Sequence, residues 1–231
     1  MNKNLIASAV FVGALLATPL TSHAALMFNV SLNTSALIGN ANGPFTIDLQ
    51  LNDGSGANVG NNTASLSNFL FGGGAASGSP TPLGGASGGL NSTVLLQDSS
   101  FLNLFDQTFN PGSVLSFDVL LSTNVDAGAT PDGFFFSLLD GLGNQIPTTG
   151  LLSAFLEIDL NSGNPAIQTF SAGDPFAAVG APVIAPLAVP GTVPEPTTVS
   201  LVLMAALVQA ARMRRRASGI RYPVLERHGS A

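Results

Sequence analysis

The chain has 231 residues, a length that holds one domain together with targeting segments. Hydrophobic residues make up 45% and charged residues only 9%, against about 25% in ordinary globular chains, so the polar surface is built from neutral Asn, Ser, Thr and Gly. Every Lys, Arg and His lies outside residues 25–192, whereas 11 of the 13 acids lie inside (Glu195 and Glu226 are the other two); a stretch without cations cannot neutralise phosphates, which excludes nucleic acid and an anionic membrane surface as its partners.

Residues 1–24 have the organisation of a secretory signal peptide. Lys3 supplies a short positive region, and Leu5 to Leu16 is an uninterrupted apolar run. Twelve residues of helix cover about 18 Å, too little for a hydrocarbon core of ~30 Å. Pro19 ends the helix, and Ser22-His23-Ala24 puts small residues at the −3 and −1 positions. Cleavage by signal peptidase is expected between Ala24 and Ala25.

From residue 25 to about 180 the pattern is that of strands, in which alternate residues share a face. The clearest is 45–51, with Phe45, Ile47, Leu49 and Leu51 on one side. Residues 115–121 repeat the pattern with Asp118 on the opposite face, and 27–32 alternate more weakly. Further strands are expected over 64–71, 93–97, 101–109, 133–139, 152–160 and 167–170. Asn52-Asp53-Gly54, Asn110-Pro111-Gly112, Asp140-Gly141 and Asn161-Ser162-Gly163 supply the turns between them. Short strands, frequent Gly/Asn turns and no helical period predict an all-β fold, an antiparallel β-sandwich of jelly-roll-like type. Without Trp, and with the one Tyr outside this region, Phe carries the aromatic packing. Residues 72–89 (GGGAASGSPTPLGGASGG) are low in complexity and read as a long flexible surface loop, while 181–192 read as an extended Pro/Ala-rich spacer.

The chemistry open to this body is narrow. It has no Cys, so thiol catalysis, disulfides and thiolate metal sites are excluded. Without His, Lys or Arg it cannot assemble a Ser–His–acid triad, a Schiff base or a cationic transition-state clamp. The body is therefore expected to be non-catalytic. Glu157 and Asp159 share one face of a predicted strand, and a carboxylate pair can hydrolyse glycosides. Against that, the aromatic platforms usual in saccharide sites, Trp or Tyr, are lacking here. No cofactor is expected; calcium is the one metal left open, with Asp126 and Asp140 in Gly/Asn loops as candidate ligands. Asp and Asn also serve simply as turn formers. Four N-x-S/T sequences, at Asn29, Asn33, Asn61 and Asn91, are what such a composition produces by chance.

The C-terminal part has three pieces in order. Val193-Pro194-Glu195-Pro196 holds one carboxylate between prolines, residues 197–211 form an uncharged apolar helix candidate, and Arg212-Met213-Arg214-Arg215-Arg216 is a basic stop. This arrangement resembles the PEP-CTERM sorting signal of exopolysaccharide-producing Gram-negative bacteria, over residues 193–216. The resemblance implies processing by a membrane transpeptidase, an exosortase. Pro194, Glu195 and Pro196 would be the recognition motif, with Arg212, Arg214, Arg215 and Arg216 as the retention cluster. The sequence departs from that pattern in two ways. Gln209 interrupts an apolar stretch of only about 22 Å, and residues 217–231 continue as a polar tail, read as disordered and cytoplasmic.

Taken together, the expectation is an exported β-sandwich on a Pro-rich spacer. A short transmembrane helix anchors it transiently before delivery to the cell envelope, surface or extracellular matrix. The body resembles uncharacterised PEP-CTERM proteins around residues 101–121 and Pro131-Asp132-Gly133-Phe134, which implies no activity. The alternative is a carbohydrate-binding or adhesive module, calcium-assisted and directed at exopolysaccharide. A carboxylate-dependent glycosidase is more remote.

Overall fold

Alternation of apolar and polar residues is realised as two antiparallel sheets closed on one core. A computed structural model describes residues 25–54, 60–124, 130–160 and 165–189. Ala24, Asp126, the sorting motif Pro194–Glu195–Pro196, the apolar segment 197–211, the arginine cluster and the tail lie outside the described residues. The chain divides into two compact units, Met1–Ala188 and Val189–Ala231, and the strands belong to the first.

The described residues form thirteen strands: β1 (Ala25–Asn33), β2 (Phe45–Asn52), β3 (Thr63–Leu70), β4 (Ala75–Ala76), β5 (Thr81–Leu83), β6 (Gly85–Gly88), β7 (Val94–Gln97), β8 (Leu102–Asn110), β9 (Val114–Ser122), β10 (Asp132–Leu139), β11 (Leu156–Leu160), β12 (Ala166–Thr169) and β13 (Val183–Pro186). The first sheet has the order β13-β1-β9-β3-β7-β6, and the second β12-β11-β10-β2-β8-β4, with β5 also pairing β8. The pairs β1–β9, β2–β8 and β3–β7 nest around residues 72–89, and successive strands largely alternate between the sheets.

The core follows from the strand period. Phe28, Val30 and Leu32 of β1 and Leu115, Phe117, Val119 and Leu121 of β9 point inward from the first sheet, all essentially buried. Phe45, Ile47, Leu49 and Leu51 of β2 and Phe134, Phe136 and Leu138 of β10 answer from the second. Phe117 meets Phe136 edge-to-face across the sheets at 5.2 Å, a geometry that places a ring edge on a π face. Burial of rings of this size supplies the main driving force, in the absence of any disulfide.

Two expectations are corrected. Residues 72–89 are not one long loop. β4 and β5 pair with β8 and β6 pairs with β7, so the segment passes from the edge of one sheet to the edge of the other. Gly72, Gly74, Gly84, Gly85 and Gly88 are packed against backbone: a Cβ on Gly74 would stand 1.9 Å from the Asn110 carbonyl oxygen, and one on Gly85 2.1 Å from that of Gln97. Low complexity here reflects close backbone approach. Nor does the whole spacer run clear of the body, because Val183–Pro186, extended as expected, adds to β1 as an edge strand, with Phe28 opposite Pro186. Proline is tolerated there because an edge strand leaves one row of N–H positions unpaired. Within 152–160, only Leu156–Leu160 is strand.

Candidate functional site

The outward faces of the two sheets treat their polar groups differently. On the first sheet, Asp118 of β9 accepts from Asn29 Nδ2 and from Asn68 Nδ2, each at 2.7 Å, so side-chain amides do the work of the missing cations. On the second sheet three acceptor atoms are buried without a hydrogen-bond donor among the described residues: Asn52 Oδ1, Asp106 Oδ1 and Glu157 Oε1. A buried acceptor left unsatisfied costs about 1–3 kcal/mol, so a concentration of them on one face is informative.

The register lays this face out in rungs. Asp159, Gly133 and Asn52 form one; Glu157, Phe135 and Gln50 the next; Ser137, Asp48 and Asp106 the third. Gly133 has a definite role, since a Cβ there would lie 2.6 Å from Cε2 of Phe135. The absent side chain lets the Phe135 ring lie down over the sheet. The segment between β10 and β11 rises beside it, and Gln145, Leu152 and Ala154 wall a cleft of about 190 Å³ over Gln50, Asn52 and Ser137. A second cleft of about 420 Å³ adjoins it, sharing Asn52 and Phe135 and bounded by Phe101, Pro131 and Asp159. Phe101 is 64% exposed.

Carboxylates on this face are crowded. Asp48 stands opposite Asp106 and is almost fully buried; burial pushes its carboxyl up to about 6, the charge of Asp106 adds to the rise, and the Gln50 amide opposes it. Burial likewise raises Glu157, with a further rise from the charge of Asp159. Glu157 and Asp159 do share the outer face of β11, as the sequence predicts.

At one end of the sandwich Asp53, Asp98 and Asp132 are brought together from the ends of β2, β7 and β10, all buried. Asn62 ties them, donating its backbone N–H to Asp98 Oδ2 at 3.0 Å and its Nδ2 to Asp132 Oδ2 at 2.7 Å. Gly54 N–H donates to Asp132 Oδ1 at 2.9 Å. Burial raises Asp98 to about 7, aided by its hydrogen bond with Asp132 and by the charges of Asp132 and Asp53. The arrangement crowds three buried carboxyls at one end of the sandwich. Among the described residues, no group of three or more His, Cys, Asp or Glu is placed to share a metal ion.

Asp140, a calcium candidate from the sequence, closes its own turn. Its Oδ1 accepts from the N–H groups of Leu142 and Asn144, each at 2.9 Å, which holds its carboxyl below the usual range. Its partner candidate Asp126 lies outside the described residues.

Compared with protein-family models, curated proteins and solved structures, the chain matches none of them. The site must therefore be argued from its own chemistry. Phe135 and Gln50 escape a reading for catalytic residues, yet one signal for them is present. In Gly133-Phe134-Phe135-Phe136 the strand period buries Phe134 and Phe136, which obliges Phe135 to face outward.

Proposed function

We propose that this protein is an exported, non-catalytic component of the cell envelope or extracellular matrix, carried outward by a signal peptide and processed at its PEP-CTERM-like segment by an exosortase. The fold is read as a jelly-roll, because the nested pairs β1–β9, β2–β8 and β3–β7 are those of one long hairpin rolled into two sheets. A short transmembrane helix over 197–211 and the arginine cluster 212–216 hold the chain transiently at the membrane. No cofactor enters this reading; signal peptidase and the exosortase are its processing partners.

One observation supports it most strongly. Among the described residues, every strand lies between the predicted cleavage point and the sorting segment, from Ala25 to Pro186. Removing the two addresses therefore takes none of these strands with it. Its cation-free composition also suits a body that must not adhere to anionic headgroups.

The test is Glu195→Gln, which removes the charge from the Pro-Glu-Pro triplet at constant size. In cells carrying an exosortase, the body of the parent chain is expected in the surface or medium fraction. The variant is expected to accumulate in the membrane fraction as the longer precursor, with release reduced at least tenfold. Equal release of the two chains would reject the sorting role.

A further inference from the structure

We propose that the two adjoining clefts on the outer face of the second sheet form one groove that binds an uncharged glycan chain. Gln50, Asn52, Ser137 and Gln145 present amides and a hydroxyl, groups that both donate and accept, and the first cleft has no ionisable side chain in its lining. Such groups match hydroxyls, which also do both. Asn52 Oδ1 is buried on this floor without a donor among the described residues. A hydroxyl supplies the missing donor without adding charge, relieving the cost of the orphaned acceptor.

The apolar half of the site is aromatic. Phe135 lies flattened above Gly133 and belongs to both clefts, and Phe101 stands exposed along the second. A pyranose ring has a C–H face that packs on such a surface, while its hydroxyls point to the amides at the edges. Phe thus takes the place of the Trp or Tyr platforms that residues 25–192 lack. Because the clefts share Asn52 and Phe135, a ligand of more than one ring fills both.

Charge selects against other occupants. Asp53 and Asp159 line the second cleft, and Asp48 and Asp106 lie beside the first, with no cation between residues 25 and 192 to offset them. An anionic polysaccharide is repelled. A basic peptide would find carboxylates only in the second cleft and would leave the amides of the first unused.

The inference rests on the external, non-catalytic reading above only for where the glycan is met. Affinity electrophoresis of the full chain in mild detergent, through gels containing dextran, galactomannan or hydroxyethyl cellulose, reads the groove directly. At least one of these polymers is expected to retard the protein equally at low and high salt. Phe135→Ala and Phe101→Ala are each expected to weaken retardation at least tenfold; Phe101 is largely exposed, so its replacement is expected to leave the fold unperturbed. Gly133→Ala, which keeps the ring but displaces it, is expected to weaken it similarly. The proposal is overturned if no neutral polymer retards the chain, if Phe101→Ala binds like the parent, or if only cationic chitosan retards it and salt abolishes the effect. Sorting is read separately through Glu195, so either proposal can fail while the other stands.

Discussion

Replacing Gly88 by Ala is expected to lower the melting temperature by roughly 10 °C, corresponding to about 3 kcal/mol for a domain of this size. Gly88 ends β6 with φ of +97°, a conformation that a side chain disfavours. A Cβ there would also stand 1.9 Å from the Thr93 carbonyl oxygen, the atom that accepts the Gly89 N–H and closes the β6–β7 turn. The backbone must open, and the damage does not stay local. Leu90, at the tip of this turn, is buried in the core, and its N–H donates to Gln107 Oε1 of β8 at 2.9 Å. Opening the turn withdraws Leu90 and orphans a buried amide at the same time. Gly180→Ala is the control, since a Cβ there meets nothing within 4 Å and the expected change is within about 0.5 kcal/mol. Thermal unfolding followed by circular dichroism measures both, and a Gly88→Ala melting temperature within a couple of degrees of the parent would contradict the packing assigned to residues 72–89.

Stability is expected to fall, rather than rise, as pH increases from 5 to 8. Asp48 and Asp98 are held at about 6 and about 7 in the folded protein, above their ordinary value of 3.8. The folded state therefore binds protons that the unfolded chain has already released. This contribution is complete below about pH 4 and is lost as pH passes through 6 and then 7. Each group forfeits about 1.4 kcal/mol per pH unit while only the folded state is protonated. Halved for residual screening, the two lower the melting temperature by roughly 5 °C between pH 5 and 8. Asp106 and Glu157 are raised by burial and act in the same sense, whereas the exposed Asp140 is lowered and is ionised in both states across this range. Asp98→Asn mimics the protonated acid, donating to Asp132 while still accepting from Asn62. It is expected to raise the melting temperature by a few degrees at pH 8 and to change little at pH 5. A parent protein more stable at pH 8 than at pH 5 would refute the raised carboxyls of Asp48 and Asp98.

The strand period made most of the body readable. All nine predicted strands form, because Phe45 to Leu51 and Leu115 to Leu121 alternate so strictly that only one register hides their apolar side. The segments that escaped a sequence reading are those whose partners are distant. Nothing in GGGAASGSPTPLGGASGG indicates that Asn110 and Gln97 will press against its glycines, nor does Val183–Pro186 announce β1 as its neighbour. Composition sees a flexible tract where tertiary contact demands a missing side chain.

The same division holds for the candidate groove. Outward placement of Phe135 and of the pair Glu157 and Asp159 could be counted off along their strands. That Asn52 and Phe135 join two clefts, and that Asp53, Asp98 and Asp132 converge from three strand ends, depends on which strands lie side by side. By itself the sequence determined the class of the fold, the cation-free body and the chemistry that such a body excludes, since these follow from residue types and local period. Tertiary structure alone decided where the acceptors are buried, which acids are crowded together and where the aromatic face lies open, because burial and pairing are properties of neighbours far apart in the chain.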